Sequence, residues 1–146
     1  MKYIKEYKEY GVLYHGSSEI IEILEPYYSD ILDEKAVFAT NKRWLALCFI
    51  AKFKDSDIKL GLVNGIPYLE EVKKDAFDIF KTSGYIYTVS SEGFKSHKKL
   101  GLKGSEFIKK TETKIIETEK IDNVYMSLKN TDVYMVPYDI VNSIRK

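Results

Sequence analysis

Apolar residues gather along this chain in short runs broken by polar turns, the pattern of many short strands and a few helices. Residues 12–14 form the first run, stopped by His15-Gly16-Ser17-Ser18. The serine pair is placed to cap a helix with Ile20, Ile21 and Leu24 on its apolar side and Pro26 at its end. Residues 36–39 are a second apolar strand. Thr40-Asn41 then offers an N-cap before Trp44, Leu45, Leu47, Cys48, Phe49 and Phe53, the spacing of a largely buried helix.

Residues 59–63 and 66–72 flank Asn64-Gly65, the preferred pair for a two-residue type I′ hairpin turn, and Pro67 suggests an edge strand. A helical turn is expected over 76–80. Strands are expected over 85–89, 106–109, 114–118 and 133–136, a short helix over 121–128 capped by Asp122, and a last helix after Pro137. Residues 90–104, polar, basic and glycine-containing, read as a loop. Most strands are not separated by helices, so the fold class is α+β rather than doubly wound α/β.

The 146 residues suit one domain with its own core. Twelve tyrosines and seven phenylalanines are not the composition of a disordered chain. The net charge of +1 gives no global field toward nucleic acid, membrane or an acidic partner. Only two of the twenty-three basic residues are arginines, Arg43 and Arg145, which excludes a cluster of bidentate arginine clamps. The single cysteine, Cys48, excludes an internal disulfide and a multi-cysteine zinc site, and two histidines, His15 and His97, make a poor metal cage. No apolar run resembles a signal peptide or a membrane span, so a cytoplasmic protein is expected.

Three blocks carry chemistry. In Tyr14-His15-Gly16-Ser17, a histidine orients a polar ligand, a glycine opens the backbone to a planar amide and a serine adds a small donor; the plain alternative is a core histidine at a turn. Phe38, ending a strand before Thr40, and Phe49 on the next helix are placed to sandwich a flat heteroaromatic ring, or simply to fill the core. Glu106 opens an apolar strand behind a Gly/Lys loop. There it could stabilise positive charge or orient a hydroxyl, or be an exposed strand-edge carboxylate.

In this order the blocks resemble the ADP-ribosyltransferase superfamily, in the His-Tyr-Glu branch that includes diphtheria toxin and the poly(ADP-ribose) polymerases. The resemblance runs from about Leu13 to Ile108. It implies a single domain over residues 1–146, with two small, mainly antiparallel sheets at an angle and an NAD cleft between them. It further implies NAD as co-substrate, no metal, and transfer of ADP-ribose with release of nicotinamide to an acceptor left open: protein, nucleic acid or small molecule.

Residue by residue, the resemblance gives His15 to the adenosine-side ribose and Gly16 to the nicotinamide carboxamide, with Ser17 beside them. Phe38 and Phe49 stack on nicotinamide, Thr40 opens the helix beside the site, and Glu106 is the catalytic carboxylate. Two positions depart from the pattern: Phe38 stands where the signature has tyrosine, and Ala46 where many relatives have serine. Lys42, Arg43 or the helix-start N–H groups near Thr40 would serve the diphosphate in place of arginines.

Other readings stay open. The sister RNA 2′-phosphotransferases share a similar His-Gly element but rely on several arginines. A non-catalytic nucleotide- or partner-binding module could use the same fold. A nucleic-acid binder would use the aromatics and the cluster Lys95, Lys98, Lys99, Lys103, Lys109 and Lys110, which could instead select the acceptor.

Overall fold

Alternating β-branched, aromatic and small residues build one central sheet, and its inner strands are buried on both faces. In the computed structural model, which describes residues 11–97 and 104–144, the first elements are β1 (Val12–Ser17), β2 (Ile23–Leu24), β3 (Tyr27–Ser29), β4 (Glu34–Thr40) and α1 (Arg43–Ile50). The hairpin β5 (Ile58–Val63) and β6 (Ile66–Glu71), a 3-10 turn (Ala76–Phe80) and β7 (Gly84–Ser90) follow. The rest is β8 (Lys95–Ser96), β9 (Glu106–Lys109), β10 (Thr113–Lys114), β11 (Glu117–Ile121), α2 (Val124–Lys129), β12 (Tyr134–Val136) and α3 (Tyr138–Ile144). The fold is α+β and mostly antiparallel, as the strand-rich pattern implied.

The central sheet runs in the order β11-β7-β1-β4-β9-β8, with β3 also paired to β4. Its halves are unequally joined. β1 and β7 pair over six residues, and β4 and β9 over four. β1 and β4 share the single register pair Tyr14↔Thr40. The sheet is therefore split just past Tyr14. Two separate sheets were expected from the resemblance; the structure has one seven-stranded sheet pinched at one pair.

Each face carries its own core. Tyr14, Gly16 and Ile86 face α1, beneath a cluster that includes Leu47, Phe80, Val124 and Leu128. Leu13, Val37, Ala39, Tyr87 and Val89 pack on the opposite face with Leu24. Burying a side chain such as Leu47 completely contributes about 1.5–3 kcal/mol, and Leu47 is fully inaccessible. The three-stranded sheet β12-β6-β5 flanks this core, and the pair β10-β2 sits apart.

Several boundaries move for physical reasons. No helix follows Ser17: residues 18–26 are irregular chain and the two-residue β2, paired to β10. The 114–118 strand is two strands, because Thr113–Lys114 pair with β2 while Glu117–Ile121 pair with β7. Asn123, not Asp122, caps α2, accepting from Met126 N–H at 3.1 Å. α1 begins without a side-chain cap, and Phe53 falls beyond its end. β6 lies between two strands, but Pro67 precedes Tyr68, where β12 pairing starts, so it is locally at an edge. Asn64 and Gly65 both have positive φ, 52° and 78°, as a type I′ turn requires.

The expected loop over 90–104 contains β8, and its residues 98–103, with Lys98, Lys99 and Lys103, lie outside the described residues, as does the segment before Gly11. Among the described residues no helix is long and apolar enough to cross a membrane.

Candidate functional site

A cavity of about 550 Å³ opens at the split of the sheet. That is ordinary for a small-molecule site. Its lining includes His15, Gly16 and Ser17 from β1, Phe38 from β4, Phe49 from α1 and Glu106 from β9. Six of the seven residues singled out in the sequence thus meet on one cavity. Thr40 does not line it. Thr40 is buried between Tyr14 and Glu106 in one cross-strand row, and its Oγ1 accepts from Lys42 N–H at 3.0 Å.

The split is what lets these residues meet. Side chains alternate between faces along a strand. Thr40 and Glu106 share the α1 face with Tyr14, whereas His15 lies on the opposite face beside Tyr87, its ring centroid 6.4 Å away. In a continuous sheet His15 and Glu106 would be walled off from each other. Where β1 and β4 part, both faces open into one space. Tyr14 and Glu106 sit two strands apart in one row, a backbone separation of about 10 Å at the usual strand spacing.

Backbone hydrogen bonds set the polarity of the gap. Gly11 C=O accepts from Ser91 N–H at 3.3 Å, and Thr88 C=O accepts from Ile116 N–H at 2.8 Å. By the alternation of an antiparallel ladder, odd-numbered residues of β1 bond to β7, and Tyr14 and Gly16 turn their N–H and C=O toward β4. Asn41 N–H donates to Ser105 C=O at 3.2 Å, so by the same rule Phe38 and Thr40 turn theirs toward β1. Pairing ends at Tyr14, and Gly16 is left with its amide edge aimed into the cavity.

His15 bridges the opening. Its Nδ1 lies 2.6 Å from the Phe38 carbonyl oxygen. A carbonyl only accepts, so Nδ1 carries the proton and donates. Burial pushes the His15 pKa below its ordinary value of 6.5, and the hydrogen bond to Phe38 offsets this only partly. The ring is neutral at pH 7, which makes Nε2 a hydrogen-bond acceptor. Because the folded pKa is depressed, the unfolded chain binds the proton first as pH falls. Stability should therefore drop as pH descends through about 6.5, and this contribution should level off once folded His15 is also protonated. Thermal melts between about pH 5 and 8 should show a shallower acid-side decline for His15→Asn than for the wild type.

The remaining walls have distinct characters. Ser17 Oγ accepts from Glu19 N–H at 3.1 Å, closing a turn rather than capping a helix. Phe38 contacts Tyr27, with ring centroids 5.4 Å apart and 40° between planes, and packs against Leu32, Ala36 and Ile108. Phe49, also in the cavity lining, is 37% exposed. The sequence reading missed Tyr14, Tyr27, Glu25 and Lys52, all of which line the cavity. None of them carried a signal: Lys52 fell inside the helix expected to reach Phe53, whereas the helix ends at Ile50 and Lys52 takes a φ of 50°, the conformation usual for glycine there.

Lys42 and Arg43 are not at this cavity. They line a second, shallower cleft with Trp44 and Asp132, and Arg43 pairs with Glu119 at 2.7 Å. The helix start near Thr40 faces away, and the C-terminal end of α1 borders the cavity through Phe49 and Lys52. Of the basic cluster, Lys110 pairs with Glu34 at 3.1 Å and Lys109 lies over the Phe94 ring at 5.9 Å. Cys48 is buried, which pushes its thiol pKa far up and leaves it no nucleophile.

No family model, characterised protein or solved structure matches this chain.

Proposed function

We propose that the cavity binds NAD and that the protein is an NAD-dependent mono-ADP-ribosyltransferase. The observation that carries this reading is the convergence of His15, the Gly16 amide edge and Glu106 through the split of the sheet. Each has a distinct task in holding a nicotinamide riboside. Bound NAD supplies a glycosidic bond to a cationic ring, and the bond's electron pair leaves with nicotinamide.

The chain's own residues do the rest by position and charge. Gly16 offers a donor and an acceptor to the carboxamide, and the rings of Phe38 and Phe49 offer their faces to the nicotinamide. Nε2 of His15 accepts from a ribose hydroxyl. The Glu106 carboxylate accepts from the 2′-hydroxyl and lies beside the positive charge that develops on the ribose. The acceptor then bonds to C1′ and gives up its proton. Lys52 at the cavity mouth takes over the role expected of Lys42 and Arg43, beside the anionic part of the ligand.

A second reading, a nucleotide-binding module without turnover, draws on the orientation of α1. Its C-terminal end borders the cavity, which offers no helix N–H groups to a diphosphate. Calorimetry with NAD and chromatography of released nicotinamide separate the two. Binding with release supports the transferase, and binding without release in the presence of cell lysate supports the module. No binding of NAD overturns the transferase and any module that takes NAD.

A further inference from the structure

One wall of the cavity is irregular chain. Between β1 and β3 the backbone leaves the central sheet, and Ile21, Leu24 and Glu25 of this stretch line the cavity. Backbone N–H and C=O groups outside a ladder need other partners. Here two hydroxyls provide them. Ser17 Oγ accepts from Glu19 N–H, while Tyr87 Oη donates to Glu19 C=O at 2.6 Å and accepts from Ile21 N–H at 2.8 Å.

Tyr87 is a fully buried residue of β7, its ring packed with Leu13, Leu24, Val37, Ala39 and Val89. A phenol hydroxyl both donates and accepts, so one side chain closes two bonds around residue 20. Ile20 is held outward, 79% exposed, although its apolar side chain would gain from burial. A phenylalanine would fill nearly the same volume and close neither bond. The far end of the wall is fixed separately, by β2 pairing with β10.

We propose that Tyr87 is a positioning residue whose hydroxyl latches residues 19–21 onto the sheet and so sets the cavity wall beside His15. Ligand affinity then depends on a side chain that touches no ligand. The ligand's identity rests on the NAD reading; the latch does not.

Hydrogen exchange on the intact protein tests the latch first. The Ile21 amide of the wild type should be protected, and exchange there at the rate of an unstructured chain overturns the proposal without any variant. In Tyr87→Phe, Ile21 exchange should rise about tenfold or more, the effect of losing two net hydrogen bonds, while Leu13 in the β1–β7 ladder keeps its rate. The NAD dissociation constant should rise by a similar factor, and nicotinamide release at saturating NAD should be unchanged.

Tyr85→Phe is the control, because the Tyr85 ring stacks on Tyr87 at 6.1 Å yet its hydroxyl is no part of the latch. Unchanged Ile21 exchange in Tyr87→Phe overturns the proposal. So does a lowered melting temperature with unchanged affinity in a protein that binds NAD. If the wild type binds no NAD, the transferase reading fails and the exchange result alone decides the latch.

Discussion

Replacing Glu106 by Gln is expected to cut nicotinamide release by roughly 100-fold or more, the usual loss when one preorganised electrostatic group is removed. NAD affinity should stay nearly the same. The asymmetry follows from when the charge is needed. In the bound ground state the positive charge sits on the nicotinamide ring, and it develops on the ribose only as the ring departs. A carboxylate beside the ribose therefore stabilises the transition state more than the bound substrate. Glutamine keeps the size and an accepting oxygen but loses the charge.

Glu117 is a demanding control. It occupies the same cross-strand row as Glu106, through Thr88, Tyr14 and Thr40. It lies four strands away, roughly 19 Å at the usual spacing. Glu117→Gln and Glu119→Gln should keep wild-type turnover, although Glu119 loses its exposed pairing with Arg43. Wild-type turnover in Glu106→Gln would remove Glu106 from the catalytic machinery and assign the chemistry to another residue of the cavity.

Local chemistry made part of this fold legible. Asn64-Gly65 announced the hairpin because only residues tolerant of positive φ close a type I′ turn, and the alternation over 85–89 announced a strand, which the structure shows as the well-buried β7. Part of the cavity lining was legible as residue types in an order: His15-Gly16, Phe38, Phe49 and Glu106, far apart in sequence, line one cavity.

What stayed hidden depends on contacts distant in sequence. The apolar spacing of Ile20, Ile21 and Leu24 fits a helix, but the chain there is held by Tyr87, 66 residues beyond Ile21. A helical pattern in so short a segment is overridden once a tertiary hydroxyl and the β10 pairing satisfy its backbone. The split is likewise invisible, because nothing in β1 or β4 alone says that their ladder ends after one pair. Lys42 and Arg43 looked like phosphate ligands beside Thr40. The direction of α1 carries them away and brings Lys52 instead.

Gly16 answers to two separate demands, ligand access and helix packing, and Gly16→Ala should cost more stability than Glu106→Gln, Tyr87→Phe or His15→Asn. A Cβ at position 16 would lie 1.9 Å from the Ala46 carbonyl oxygen. That atom belongs to the α1 backbone, so no rotamer relieves the clash, and the helix has to move. Gly84 on the neighbouring strand also lies close under the helix, since a Cβ built there would stand 2.4 Å from Ile50 Cγ2. The two glycines form the groove in which α1 lies.

Overpacking against a backbone atom of a rigid helix should destabilise by about 3 kcal/mol or more. For a domain of this size the melting temperature should fall by about 10 °C. Any shift of α1 also displaces Phe49 and Lys52 from the cavity, so NAD affinity should weaken although alanine keeps the backbone N–H and C=O. Gly84→Ala separates the effects, because it presses on the same helix from a residue that does not line the cavity. Its loss should be smaller but not negligible: the added Cβ would lie 2.4 Å from Ile50 Cγ2 and 2.8 Å from the Ser17 carbonyl oxygen, less severe than 1.9 Å, yet a β-branched side chain in a helix is stiff and a carbonyl cannot rotate away. A Gly16→Ala protein that melts with the wild type would show that α1 does not lie against β1 as described. A Gly16→Ala protein that melts early yet binds NAD with wild-type affinity would leave the groove intact as a packing device and remove Phe49 and Lys52 from the ligand site.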